Sequence, residues 1–454
     1  MYKGRHMKLG VFGLFLTALT INSSSVFANG SSGLIEIYEL ALQSDPQISA
    51  AKYGRDAGME KSEQGLSLLL PQASFSAGLK YARTETDPSF DPNKNGVDKN
   101  TSDSRNFAIN LTQPLFNASS STSYKQSKIV VNQAELQYKT AEQDLILRVA
   151  QAYFDVLSAQ ENLAVNQAET RAFAESLARA NLTFKVGTAT KTDKLEAQAR
   201  YDLARASELS AENLLAIAKQ TLRSITGTAT EKLKSLKKNV KLATINPTQM
   251  EQWVELALAN NYQLKLSQAS LDIAKKEMTK LKDDRLPTVN LVAAANNNKQ
   301  YLSFSGSDST TNTLSIGVEL SLPLYTGGLM SSRIREAEHL RSQQKELQTN
   351  SQRQVLLQTQ QAYLTVINGF QQIDALKQAL ISSDSALQAT KKGLEVGVRT
   401  NLDVLDSQQQ YFSTERDYRI AKFNYLLQVL KLKAAAGILS AEDIQSLNAL
   451  LESA

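Results

Sequence analysis

The sequence predicts a mixed α+β membrane protein, with β-strands at one end of a rod and long α-helical hairpins forming the rest. Three observations predict it. The 454-residue chain is an internal duplication, in which Ala41-Leu42 through Leu70-Pro71 matches Ala257-Leu258 through Leu286-Pro287. Each copy carries two segments that alternate between apolar and polar or small residues, the period of a strand with one apolar face. Each copy then continues into long proline-free stretches with heptad spacing, the pattern of packed helices.

Taken in order, Lys3, Arg5 and Lys8 precede the apolar run Leu9 to Ile21, and Val26-Phe27-Ala28 offers a small-residue cleavage site. Residues 1–28 therefore read as a signal peptide. The first structural repeat spans 29–227. Helical sequence from Leu34 to Ser44 and over about 47–69 stops at Pro71, which removes a backbone donor. Phe75, Ala77, Leu79 and Tyr81 then alternate with Ser74, Ser76, Gly78 and Lys80, so a strand is expected at about 72–83. Phe107, Ile109 and Leu111 place a second at about 106–116. The polar stretch between them, 84–105, reads as a surface loop. A long helical hairpin follows at 119–225, its seam marked by Leu145, Val149, Ala152, Val156, Ala159 and Leu163.

Residues 228–248 form a connector rich in lysine, and the second repeat spans 249–437. Its strands are expected at about 288–295 and 314–324, separated by the polar stretch 296–313. Its helical hairpin covers 330–435, with Ile373, Leu380, Leu387 and Leu394 at heptad spacing. Gln151-Ala152-Tyr153 matches Gln361-Ala362-Tyr363, and Thr226-Gly227 falls opposite Ala436-Gly437, which ties the hairpins to the same duplication. Residues 438–454 close the chain.

Composition narrows the function. Without residues 1–28 the chain has 47 basic and 45 acidic residues, so its basic isoelectric point is no signal for nucleic acid. There is no cysteine, so disulfides, thiol chemistry and cysteine-based metal sites are excluded, and His339 is the histidine left after the leader. No nucleophile elbow, zinc-protease, phosphate-loop or dinucleotide motif occurs. An enzyme is not expected, nor is a cofactor. No stretch after the leader is apolar enough for a membrane-spanning helix, so any crossing belongs to the strands. Four strands cannot close a barrel, which demands an oligomer without fixing its number. A periplasmic or secreted coiled-coil spacer or adaptor remains an alternative reading of the helices.

The turns of the two hairpins match each other. Val186-Gly187 corresponds to Val396-Gly397, Asp193 to Asp403, and Glu196 to Asp406. The stretch VGVRTNLDVLD at 396–406, with LPLYTGG at 322–328 and FNYLLQVLKLKAAAG at 423–437, resembles the TolC-type outer-membrane efflux and secretion channels. The resemblance extends over essentially the whole mature chain. It implies a homotrimer whose 12-stranded outer-membrane barrel continues into an α-helical periplasmic tunnel. Residues 228–248 and 438–454 would then form an equatorial region. It further implies a passive exit duct that docks to a periplasmic adaptor and an inner-membrane ABC or RND-type pump. By the same resemblance Asp403 and Asp406 form a cation-selective gate open to divalent cation block. Crowding of their carboxylates would raise some of their pKa values. Arg399, Asp193 and Thr192 would hold the tunnel closed, and Val186, Gly187, Val396 and Gly397 would meet the adaptor. Leu394 departs from the family pattern, which has a tyrosine in the closing network at that position.

Overall fold

Caps and prolines set the element boundaries. The computed structural model describes residues 31–86, 98–229, 232–237, 240, 242, 244–302 and 307–452; the signal peptide expected at 1–28 lies outside them. The first repeat runs α1 (Leu34–Ser44), α2 (Pro46–Ser67), β1 (Gln72–Thr86), β2 (Asp98–Phe116), α3 (Ala118–Lys185) and α4 (Lys191–Thr226). After β3 (Ser235–Leu236) the second repeat continues as α5 (Met250–Asn260), α6 (Tyr262–Asp283), β4 (Thr288–Leu302), β5 (Ser307–Ser321), α7 (Leu329–Glu395) and α8 (Asn401–Ala435). The chain then forms α9 (Ala441–Asn448) and β6 (Leu451–Glu452). The duplication shows in element length: α1 and α5 have 11 residues each, α2 and α6 have 22 each.

The four long strands form one antiparallel sheet in the order β1-β2-β4-β5. Its register puts the apolar residues on one face. Phe75 lies opposite Ile109, Ile109 opposite Ala295, and Ala295 opposite Leu314. Leu79, Ile316 and Leu320 share that face and are between two-thirds and four-fifths exposed in the single chain. The other face carries Ser74, Ser76, Asn110, Asn290, Ser315 and Glu319. An uninterrupted exposed apolar sheet face of this kind is a surface for lipid, not water.

The strands are longer than their apolar pattern. Polar residues over 84–86, 98–105 and 296–302 pair in register with their neighbours instead of forming loops, as Lys80↔Ser104 and Asn297↔Asn312 illustrate. The backbone ladder needs only N–H and C=O groups, so polarity marks where the apolar band ends and not where the strand ends. The rest of the expected loops, residues 87–97 and 303–306, lies outside the described residues. At the other end β5 stops at Ser321, short of the expected 324, just before Pro323. Its counterpart Pro114 stays within β2 beside a register shift, where a missing donor is tolerated.

Helix α3 has 68 residues and spans about 100 Å. Two shorter helices line it end to end: α2 packs on its sheet-proximal half and α4 returns from the turn. In the second repeat α6 and α8 do the same for α7, while α3–α6 and α3–α8 contacts join the repeats. The largest core sits at mid-rod, where Leu145, Val149, Tyr153 and Leu157 of α3 meet Leu430 and Leu432 of α8, with Trp253 and Ile444. The connector and the C-terminal tail meet there too. Strand β3 pairs with β6, and the Lys237 ammonium donates to the Ala449 carbonyl at 2.8 Å. Lys234 bonds Glu36, so the described part of the lysine-rich connector is attached to the rod; Lys238 and Lys241 lie outside the described residues.

One buried carboxylate fixes how α2 leaves α1. Asp45 caps α2 by accepting from the N–H groups of Gln47 and Ile48, and it pairs with Arg148 of α3 at 2.7 Å. Burial alone would raise the Asp45 carboxyl. Arg148 and the two N–H groups outweigh it and hold the group below the usual carboxylate range. Asp45→Ala should lower stability by about 2 kcal/mol, read as earlier thermal unfolding of the detergent-solubilised protein. A depressed carboxyl stabilises fully above its unfolded pKa of about 3.9 and loses that contribution as pH falls through the folded value. The deficit of the variant should therefore be complete at neutral pH and shrink in acid; a deficit that grows on acidification contradicts the assignment.

Candidate functional site

Both hairpins turn at the end of the rod remote from the sheet, and both turns are built alike. Gly187 and Gly397 each adopt φ +79°, in the left-handed region open to glycine. The Gly187 N–H donates to the Phe184 carbonyl and the Thr188 N–H to the Thr183 carbonyl; Gly397 to Leu394 and Val398 to Gly393 repeat the pattern. These bonds satisfy carbonyls that the helix end leaves open. Val186 and Val396 flank the glycines and are 65% and 74% exposed, so each turn presents an apolar side chain to solvent.

The outgoing helices start on matching capping boxes. Thr190 caps α4 with Asp193, and Thr400 caps α8 with Asp403. The Thr400 N–H donates to Asp403 Oδ2 at 2.8 Å, while the Asp403 N–H donates to Thr400 Oγ1 at 3.2 Å. The Thr400 backbone and hydroxyl bonds hold the Asp403 carboxyl below the usual range against slight desolvation, with a smaller contribution from Arg399. Within one chain, then, the shift is downward. The upward shift expected from crowding would need carboxylates from several chains.

Arg399 lies on the second turn, and its stem crosses Gly393: a Cβ at that glycine would stand 2.6 Å from Arg399 Cγ. Within the chain no hydrogen bond or ion pair among the described residues joins Arg399 to Asp193 or Thr192. Asp193 and Thr192 lie on the first hairpin, with the Asp193 carboxylate engaged by Thr190. Leu394 occupies the last turn of α7 and offers no polar group.

Asp406 stands one turn beyond Asp403 on α8 and does have a partner. Arg200 of α4 donates to Asp406 Oδ1 with one guanidinium nitrogen and to Gln409 Oε1 with another. A small core nearby joins Phe173 and Ala180 of α3 and Ala197 and Ala204 of α4 to Leu405 of α8. Arg200 and Gln409 did not emerge from the sequence as site residues. The available signal was spacing: Arg200 is seven residues beyond Asp193, two turns along the same helix face. Among the described residues no group of three or more acidic or histidine side chains could hold a metal ion.

Known proteins share both the sequence and this architecture. A family profile described as outer membrane efflux protein matches residues 37–228 and 253–438, which are the two repeats. Outer membrane protein TolC of Vibrio cholerae is 35% identical over 443 residues, covering 96% of this chain and 97% of the relative. The proteases secretion protein PrtF of Dickeya chrysanthemi is 29% identical over 448 residues, covering 97% and 95%. In structure, the CmeC outer membrane channel of Campylobacter jejuni superposes with a TM-score of 0.75 at 18% identity, covering 92% of this chain and 90% of the other.

Proposed function

Since this chain belongs to the outer membrane efflux protein family of TolC-type channels, we propose that three copies form one duct serving an inner-membrane pump. Family membership makes the protein a non-enzymatic outer-membrane channel that reaches into the periplasm and works in efflux or secretion. The observation that carries the finer reading is the sheet. It has one uninterrupted apolar face, and its outer strands β1 and β5 are each paired on one side only. Open edges are not tolerated in lipid, so β5 of one chain pairs with β1 of the next. Three chains close a barrel of twelve strands with room for a lumen.

At the other end six hairpins converge on the periplasmic mouth. Asp403 and Asp406 from three chains line it as carboxylate rings, which favour cations and bind divalent ions. Arg399 reaches Asp193 and Thr192 of an adjacent hairpin and keeps the mouth narrow. The duct accepts drugs or unfolded proteins handed on by an ABC or RND-type pump. A periplasmic adaptor contacts the Val186-Gly187 and Val396-Gly397 turns through their exposed valines. Tighter binding of the adaptor to the open arrangement shifts the equilibrium toward it.

Asp403→Ala combined with Asp406→Ala should weaken divalent cation block of single channels in planar bilayers, and unchanged block would remove these residues from the mouth. Arg399→Ser should raise the basal conductance in the same recordings, whereas wild-type conductance would dismiss the closing role.

A further inference from the structure

Near the turns, among the described residues, one ion pair joins the hairpin of the first repeat to that of the second. It is the contact of Arg200 with Asp406, extended by the bond to Gln409. Asp406 and Gln409 are three residues apart, so their oxygens lie on one face of α8 and a single guanidinium fork reaches both. The Arg200 side chain is 28% exposed and that of Asp406 is 55% exposed, so the pair is accessible to water and ions.

The duplication does not repeat this contact. In the 210-residue correspondence Glu196 takes the place of Asp406, and Gln410 takes the place of Arg200. The second repeat thus carries no arginine at the position that corresponds to Arg200. Gln410 instead donates to Thr414 Oγ1 of its own helix at 3.3 Å.

We propose that Arg200 sets the charge of the channel mouth: it ties the two hairpins of each chain together and compensates the charge of Asp406. This rests on the reading of Asp403 and Asp406 as mouth carboxylates. Asp403, which no ion pair among the described residues engages, then supplies the charge that selects cations and holds a divalent ion. Asp406 contributes only when Arg200 lets go.

The test uses the full-length channel in planar bilayers with and without magnesium, beside trypsin digestion of the same preparations. Arg200→Gln should tighten magnesium block and raise the cation-to-anion permeability ratio by about two- to fivefold, the range of a partly exposed ion pair. It should also speed tryptic cleavage near the turns, and the swap R200D/D406R should bring cleavage back toward the parent rate. A detergent-resistant oligomer on gels establishes that each variant is assembled. Parental block, permeability and cleavage in Arg200→Gln would overturn the proposal. So would Asp406→Asn weakening block as much as Asp403→Asn, since a compensated carboxylate cannot do so. If Asp403→Asn leaves block unchanged while the swap still rescues cleavage, the mouth reading fails and the tie stands.

Discussion

The backbone of a sheet in lipid must find every hydrogen bond within protein, and the rest of this molecule depends on that constraint. Each chain supplies four strands, an apolar face and two strands paired on one side only. No rearrangement inside one chain removes both edges, because four strands are too few to curl closed. Assembly is therefore a condition of membrane insertion and not an addition to a folded monomer. It also explains why so much of the apolar surface, from Phe75 and Leu79 to Leu314 and Leu324, is exposed when the chain is seen alone.

The helices answer a second constraint, length. A 68-residue helix has no single partner of equal length in its repeat, and α2 with α4 together supply one. The break between the two shorter helices falls at mid-rod, where α1, the connector and the C-terminal segment gather. The deepest core forms at this break, around Tyr153 and Trp253. The Tyr153 hydroxyl donates to the Lys234 carbonyl at 2.7 Å, and Trp253 Nε1 donates to the Pro247 carbonyl at the same distance. Polar tips of buried aromatics thus anchor irregular segments to the rod. Toward the turns the core thins to a few alanines with Phe173 and Leu405, which leaves that end held by little apolar burial and by individual polar contacts.

Much of this is legible in the sequence because the signals are local. Pro71 and Pro287 stop helices, and Gly187 and Gly397 turn hairpins. The strands look too short in the sequence, since alternation of polarity reports the lipid band while the ladder continues past it through Ser104 and Asn297. Asp403 stands out by its place in a repeated turn motif. Asp403 lies in the first turn of α8, which Thr400 caps. Arg200 carries only the faint local signal of its spacing from Asp193, because its partners lie more than 200 residues away on the other repeat and only packing of α4 against α8 brings them together.

Closure of the sheet between chains is the condition on which everything else rests. Native mass spectrometry of the protein extracted from outer membranes in mild detergent measures it directly. Closure predicts a single species of three mature chains that survives until the detergent or heat opens the sheet. A monodisperse monomer that stays folded in detergent, with its apolar sheet face and both outer strands intact, would contradict it.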